Sequence, residues 1–194
     1  IEVNTKLKSI LDKITDIDGD IVELGVYTGN NSIQFMMQAP NRKYFGFDTF
    51  CGYTEEDIES SPNKQGLIDN GSRWNHSKEE TTLRIKKSGL TSEFELVEGD
   101  LKETLPMYIK NKKIKCVSLL YVDCNAYLPS LKGIEAVYPI MPKGAIICID
   151  EHLVGGETAA LKEVAEKYNL DVIDTGFSFI STNYSSPSKY IIKQ

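Results

Sequence analysis

The sequence predicts an α/β fold in which a doubly wound, mostly parallel seven-stranded sheet carries helices on both faces. Short apolar runs alternate with segments whose apolar residues recur at helical spacing, a pattern typical of βα repeats. The last two apolar runs, at 170–174 and 188–193, follow one another with no helix between them. They predict an antiparallel hairpin that closes one edge of the sheet.

The remaining elements are predicted in chain order from the same two patterns. A first helix over 5–16 is indicated by four apolar residues at helical spacing. The helix near 77–88 has the best-defined ends, because Ser77 and Glu80 form a capping-box pattern and Gly89 suits the position after a helix. The other strands are expected near 20–26, 43–48, 94–98, 117–123 and 144–150, and the other helices near 31–38, 101–110, 129–138 and 157–168.

Residues 51–76 interrupt this alternation with a polar, irregular stretch that contains several glycines. A connection of this length in a compact domain is usually a functional lid or a disordered segment. We therefore expect a single domain over residues 1–194, with a lid or substrate loop at 51–76.

Composition restricts the partners. The net charge of −6 and the pI near 5.1 argue against a protein that neutralises a nucleic-acid backbone, and the lysine-rich run at 110–115 is interpreted as a solvated loop. No hydrophobic stretch approaches the roughly 20 residues needed to cross a bilayer. The four cysteines form no Cys-x-x-Cys pair and are expected to be reduced. We expect a cytoplasmic protein that binds neither nucleic acid nor membrane; a homo-oligomer is compatible with the sequence.

The first strand runs into a glycine-bearing loop with the spacing Glu23-x-Gly25-x-x-x-Gly29. The glycines allow close approach of the backbone to a ligand, and the residues up to Ser32 can start a helix. The loop differs from the dinucleotide fingerprint, because Val and Tyr stand where further glycines would admit a pyrophosphate. It predicts a nucleotide-like ligand that lacks a pyrophosphate.

Acidic residues mark the end of nearly every predicted strand. Ligands of open parallel sheets bind beyond the carboxyl ends of the strands, where gathered carboxylates repel one another unless a cation or a hydroxyl-rich ligand binds. Asp48 lies 25 residues after Glu23, close to the spacing at which an acid receives two ribose hydroxyls. Asp100 would then lie beside the adenine, where its carboxylate could accept a hydrogen bond from the exocyclic amine. The other strand-end acids are Asp123, Asp150 and Glu151.

Several of these motifs resemble those of class I S-adenosylmethionine (SAM)-dependent methyltransferases, which have a Rossmann-like fold. They are the Glu23 loop, Gly46-Phe47-Asp48-Thr49-Phe50, Glu98-Gly99-Asp100 and the closing hairpin. More narrowly, the sequence from about residue 18 to 151 is similar to the macrocin O-methyltransferase family, which methylates sugar hydroxyls of natural products. The motifs that carry this likeness are Glu103-Thr104-Leu105-Pro106, Ser118-Leu-Leu-Tyr-Val-Asp123, Tyr127 and Ile149-Asp150-Glu151.

The resemblance implies O-methyl transfer from SAM to a hydroxyl of a sugar or another polyhydroxylated small molecule. With the strand-end pattern, it predicts one cofactor site running from the first strand to the third. The residues expected to bind the cofactor are Glu23, Gly25, Tyr27, Thr28, Gly29, Ser32, Asp48, Thr49, Gly99 and Asp100.

The resemblance also implies a magnesium ion held by Asp123, Asp150 and Glu151. Magnesium prefers oxygen ligands, and a hydroxyl bound to it is easier to deprotonate. Asp123 or His152 would accept the proton. The chain departs from the family where Asp-Gly-Asp is replaced by Asp123-Cys124-Asn125 and where Glu151 replaces a second aspartate. Asn125 still offers a neutral oxygen, and the competing interpretation is that the acids after the fifth strand merely cap a helix.

The sequence leaves three alternative functions open. The same acids suit a catechol-like acceptor, whose two neighbouring oxygens would share the magnesium. A SAM-binding domain without turnover is favoured by the Asp-Cys-Asn departure. A nicotinamide-dependent dehydrogenase comes last, because its phosphate-binding glycines are missing.

Overall fold

The computed structural model describes residues 1–150, 155–177 and 187–194, and seven strands lie within these ranges. They are β1 (Asp20–Leu24), β2 (Tyr44–Asp48), β3 (Phe94–Glu98), β4 (Val117–Val122), β5 (Ile146–Ile149), β6 (Ile173–Asp174) and β7 (Lys189–Ile192). They form one sheet in the order β3-β2-β1-β4-β5-β7-β6, in which β7 runs antiparallel to both neighbours and the other pairs are parallel. The α/β prediction is confirmed, and the direction of winding reverses between β1 and β4.

The helices are α1 (Thr5–Leu11), α2 (Asn30–Gln38), α3 (Glu55–Ser60), α4 (Lys64–Asn70), α5 (Lys78–Lys87), α6 (Leu101–Lys110), α7 (Tyr127–Val137) and α8 (Gly156–Tyr168). Short 3₁₀ turns cover Asp12–Ile14, Gly71–Trp74 and Tyr138–Ile140. Ser77 caps α5 by accepting a hydrogen bond from the backbone N–H of Glu80, as the sequence predicts. None of the helices in the described ranges combines the length and apolar character required to span a bilayer.

Both faces of the sheet are buried. Strand β4 illustrates this, since Leu120 and Val122 belong to a core shared with α6, α7 and α8, whereas Leu119 and Tyr121 belong to a core shared with α1, α2 and α5. All four side chains are fully buried. Burial on both faces explains why residues 119–122 appear in the sequence as an uninterrupted apolar run. The one polar residue of the strand, Ser118, is also buried, and its hydroxyl donates to the carbonyls of Gly19 and Asp20.

The C-terminal hairpin forms as expected, but β6 is shorter than the predicted run at 170–174. Asn169 adopts a left-handed conformation (φ 53°) after α8, and the backbone N–H of Leu170 donates to the carbonyl of Ala165. These residues therefore close the helix, and pairing with β7 begins only at Ile173.

Residues 51–76 are more regular than the sequence suggested, because they contain α3, α4 and the 3₁₀ turn Gly71–Trp74. Thr54 and Asp57 form a complete capping box at the start of α3, and Leu67 of α4 is fully buried. Both helices are too short to show a clear apolar period. The two ends of the segment meet, since Cys51 and Asn75 form an isolated antiparallel bridge.

Candidate active site

An open cavity lies at the carboxyl ends of β1, β2, β3 and β4, against segment 51–76; its space, together with the open solvent at its mouth, is about 610 Å³. Open α/β sheets bind ligands at this edge, at the point where the direction of winding reverses. The strand-end acids Asp48, Asp100 and Asp123 meet here, as their positions in the sequence predict. The lining consists of Gly25, Phe47, Asp48, Thr49, Gly52, Tyr53, Asp57, Asp100, Leu101, Asp123, Cys124, Asn125 and Pro129.

Gly25 lines the cavity at the point where β1 meets β4. Its φ is +88°, and a Cβ atom there would lie 2.0 Å from the carbonyl oxygen of Asp123. The backbone N–H of Asp123 also donates to the carbonyl of Leu24 at 2.7 Å. Only a residue without a side chain therefore allows the ends of β1 and β4 to come into contact here. That contact brings Asp123 to the cavity wall.

Asp48 shapes the glycine-bearing loop as well as lining the cavity. Its Oδ2 accepts hydrogen bonds from the backbone N–H groups of Val26 (2.7 Å) and Tyr27 (2.8 Å), and its Oδ1 accepts one from Phe50 (2.7 Å). Tyr27 and Phe50 both have positive φ angles, of 50° and 55°. Because a carboxylate oxygen has two acceptor sites, Oδ1 retains one for a ligand hydroxyl.

Glu23 and Ser32 lie beneath the loop and outside the cavity lining. Glu23 is fully buried, and its Oε2 accepts hydrogen bonds from the hydroxyls of Ser32 (3.0 Å) and Tyr44. Burial raises the pKa of Glu23 to about 8. Its Oε1 has no hydrogen-bond partner in the described part of the chain. The sequence predicts cofactor contacts for both residues; neither lines the cavity, and their mutual hydrogen bond lies beneath the loop.

The outer part of the loop, Tyr27 to Gly29, packs against α5. The carbonyl of Tyr27 accepts from the Thr81 hydroxyl at 2.8 Å, and that of Thr28 accepts from Arg84 at 3.3 Å. A Cβ atom on Gly29 would lie 3.1 Å from the Thr81 side chain, so Gly29 approaches a helix and not the cavity. The half-exposed Tyr27 ring meets His76 edge-on, with 5.7 Å between centroids.

Asp100 is both a helix cap and part of the cavity wall. Its Oδ1 accepts from the backbone N–H of Lys102 at 2.9 Å, which caps α6. Gly99, with φ +130°, donates its N–H to the carbonyl of Asp48 at 3.0 Å and so joins the ends of β2 and β3. The Thr49 hydroxyl donates to the carbonyl of Gly52 at 2.5 Å, which fixes the start of segment 51–76.

Asn125 lies in a left-handed turn (φ 56°) that is held from both sides. Its backbone N–H donates to the fully buried Glu157 carboxylate at 2.5 Å, and its carbonyl accepts from the Asn63 amide at 3.0 Å. The residue is 5% exposed, and its side chain lines the cavity, where Oδ1 has no partner among the described residues. Sequence reasoning missed Glu157 and Asn63, because no local pattern links positions so far apart.

The proposed metal ligands follow adjacent strands. Asp123 and Asp150 come directly after Val122 and Ile149, which are paired in the sheet. Asp123 Oδ2 accepts from the Asn31 amide at 3.2 Å, and Asp150 Oδ1 accepts from the Tyr121 hydroxyl at 2.8 Å.

Two predicted site residues, Glu151 and His152, lie outside the described residues. Within those that are described, no three His, Cys, Asp or Glu side chains are grouped closely enough to bind a metal. The oxygen donors present, two strand-end carboxylates and the unpartnered amide oxygen of Asn125, are of the type that magnesium prefers. The chemistry of these donors therefore fits the ion that the sequence predicts.

A doubly wound sheet with an antiparallel β7, and a cavity at the reversal point lined by a glycine turn and strand-end acids, define a SAM-dependent methyltransferase. The chain belongs to the macrocin O-methyltransferase (TylF) family, whose sequence profile matches residues 4–174. The resemblance noted from the sequence is thereby confirmed.

Solved structures agree with this fold. The calicheamicin methyltransferase CalS11 is 23% identical with a TM-score of 0.71, over 97% of this chain and 77% of its own. The O-methyltransferase NovP is 18% identical with a TM-score of 0.80, over 97% and 78%. An O-methyltransferase from Bacillus cereus in complex with SAH is 11% identical with a TM-score of 0.64, over 100% and 83%. No curated protein matches the chain by sequence.

Proposed function

We propose that this protein transfers the methyl group of SAM to a hydroxyl of a sugar or another polyhydroxylated small molecule, assisted by magnesium. The observation that carries this is the convergence of Asp48, Asp100 and Asp123 in one cavity, together with the buried amide oxygen of Asn125, which has no partner among the described residues. Family membership supports O-methylation. A sugar acceptor is supported by CalS11, which is described as a TDP-rhamnose 3'-O-methyltransferase.

The cofactor would lie with its adenosine toward β2 and β3 and its methyl group toward β4. The free acceptor site on Asp48 Oδ1 suits a ribose hydroxyl, and Asp100 suits the exocyclic amine of the base. The methionine part would extend toward the loop from Tyr27 to Gly29, whose Tyr27 N–H is bonded to the cavity-lining Asp48. Glu23 and Ser32 act indirectly in this arrangement, because their hydrogen bonds fix the strand and helix from which the loop rises.

Methyl transfer is an in-line displacement. The acceptor oxygen bonds to the methyl carbon as the carbon–sulfur bond breaks, the sulfur keeps that electron pair, and S-adenosylhomocysteine (SAH) leaves. The hydroxyl proton passes to a base, for which we propose Asp123, since it lines the cavity and Asn31 fixes one of its oxygens. His152 is the second candidate. Alignment supplies much of the remaining acceleration, because orienting two reactants replaces a bimolecular encounter.

The residues that would hold magnesium are Asp123, Asp150 and Glu151, with the amide oxygen of Asn125 available as a neutral donor. When bound, the ion lowers the pKa of an acceptor hydroxyl and helps to orient it. The Tyr121 hydroxyl donates to Asp150 Oδ1 at 2.8 Å and so fixes the orientation of the carboxylate.

Segment 51–76 is proposed as the cover of this site within a single domain over residues 1–194. Gly52, Tyr53 and Asp57 all line the cavity, which supports contact between this segment and bound ligands. A cytoplasmic location is supported by the four cysteines, all of which are free thiols.

The test is calorimetry with SAM, SAH and NAD, followed by incubation with a panel of nucleotide-linked and free sugars. SAM and SAH are expected to bind, NAD is not, and mass spectrometry should detect a methylated sugar whose formation requires magnesium. Absence of SAM and SAH binding would overturn the proposal. Binding without methylation of any hydroxylated acceptor would instead favour a SAM-binding domain without turnover.

A further inference from the structure

Lys102 occupies an unusual position at the second residue of α6. The first turn of a helix carries partial positive charge and normally favours acidic side chains over lysine. Nevertheless the Lys102 side chain is only 13% exposed, and its Nζ lies 2.6 Å from Asp57 Oδ1 and 3.0 Å from Asp100 Oδ2. Glu56 adds a more distant carboxylate at 3.8 Å, on the exposed side. The ammonium thus lies between two acids that both line the cofactor cavity.

The two acids belong to different parts of the molecule. Asp100 caps α6 on the body of the fold, whereas Asp57 lies in α3 of segment 51–76. The second oxygen of Asp57 completes the α3 capping box by accepting from the backbone N–H of Thr54 at 3.1 Å. Lys102 therefore connects the start of the segment to the wall of the cavity through a single carboxylate.

Charge makes this contact consequential. Asp48, Asp57, Asp100 and Asp123 all line one cavity, and Asp57 is only 6% exposed at its side chain. A buried carboxylate that loses its cation is strongly unfavourable. Burial alone would lower the pKa of Lys102, but its hydrogen bonds to Asp57 and Asp100 outweigh that effect and raise it.

We propose that Lys102 is a positioning residue for cofactor binding. It holds α3 and Asp100 together so that segment 51–76 closes the side of the cavity at which the adenine of the cofactor would lie. This inference rests on the proposed function, since it requires SAM or SAH to occupy that cavity. Without the ammonium, Asp57 and Asp100 lose the cation between them, and α3 moves away from α6. Asp100 then keeps only its capping bond from the backbone N–H of Lys102.

The first test compares SAH affinity by calorimetry in wild type, Lys102→Met, Lys102→Arg and the control Lys110→Met, an exposed lysine at the other end of α6. Lys102→Met is expected to weaken SAH binding by about tenfold or more, equivalent to ~1.4 kcal/mol. Lys102→Arg should restore most of the affinity, and Lys110→Met should leave it unchanged. Unaltered affinity in Lys102→Met, or no recovery in Lys102→Arg, would overturn the role of the charge.

A second test reports on the segment itself and separates positioning from general stability. Trypsin cleavage after Lys64 and Arg73, followed by mass spectrometry at a temperature where all variants are folded, should be faster in Lys102→Met than in Lys110→Met. Asp57→Asn should reproduce both effects, and adding it to Lys102→Met should cause little further loss, because both changes break one contact. Fully additive losses would contradict the mechanism. Failure of wild type to bind SAH would refute the proposed function instead.

Discussion

Asp123 is the residue on which the proposed chemistry most depends, because it lines the cavity and is also the expected metal ligand and base. Asp123→Asn keeps the size of the side chain but removes its charge and basicity. We expect methyl transfer to fall by about 10²-fold or more, while SAH affinity changes little. Rates with any accepted sugar, and calorimetry with SAH, measure the two effects. Asp16→Asn, at an exposed position, is the matched control, and retained turnover in Asp123→Asn would remove this residue from the mechanism.

Glu23 gives a prediction about pH. Burial raises the pKa of this carboxyl from 4.5 to about 8. Between these values the unfolded chain has released the proton and the folded protein still holds it, so this group makes the folded state less stable as pH rises through that window. Glu23→Gln removes the titration. The unfolding midpoint of the variant should therefore gain on wild type between pH 5 and pH 8.5.

The control for this pH series is Glu98→Gln, which removes an exposed carboxylate from the end of β3. Its unfolding midpoint should stay parallel to that of wild type across the same range. Parallel curves for Glu23→Gln as well would show that Glu23 ionises normally in the folded protein.

Two glycines with similar positive φ angles allow steric crowding of a side chain to be distinguished from backbone strain. Gly25 (φ +88°) has the Asp123 carbonyl where a Cβ would lie, whereas Gly89 (φ +76°) has nothing within 4 Å of that position. Gly89→Ala should cost about 1–2 kcal/mol of unfolding free energy from its left-handed conformation alone. Gly25→Ala must also separate the ends of β1 and β4, so we expect a clearly larger loss and weaker SAH binding. Denaturant unfolding measures both, and equal losses would contradict the packing argument.

At the scale of elements, the turn after β4 is fixed by the start of α8. Glu157 is fully buried and accepts the N–H of Asn125, which is 32 positions away. Glu157→Ala leaves this N–H without an acceptor, at a cost of about 1–3 kcal/mol, and frees the Asn125 side chain from its orientation in the cavity. We expect lower stability and a raised KM for the acceptor. Glu157→Gln, which keeps an acceptor oxygen, should lose less of both, and an equal loss would point to the charge alone.

The same scale shows what can be predicted from the sequence. Strand β4 is evident from the apolar run at 119–122 and helix α5 from a capping pattern, because both signals are local. Helices α3 and α4 are too short to show a period, so segment 51–76 appears irregular although it is helical in part. The acids of the cavity were found because strand ends of a parallel sheet share one edge. The contacts of Lys102 with Asp57 and of Glu157 with Asn125 depend on side chains that only the folded chain brings together.

At the scale of the whole molecule, binding of SAH to the folded state must raise its stability. At a concentration of 100 times Kd the gain is about 2.7 kcal/mol. For a domain of this size, each kcal/mol shifts the unfolding midpoint by roughly 2–4 °C, which predicts a rise of about 5–11 °C. Thermal unfolding with SAH measures this, and NAD at the same concentration should produce no shift.

Magnesium should also stabilise the folded state, but by binding at a different edge of the cavity. The chain carries a net charge of −6, and Asp123 and Asp150 follow paired residues of adjacent strands, where their charges repel. A divalent cation relieves this repulsion in the folded state only, so magnesium should raise the unfolding midpoint and add to the SAH shift. Asp150→Asn should abolish the magnesium shift and keep the SAH shift, because Asp150 lies outside the cavity that SAH would occupy. An undiminished magnesium shift in this variant would place the cation elsewhere, and methylation would then have to proceed with Asp123 acting as base alone.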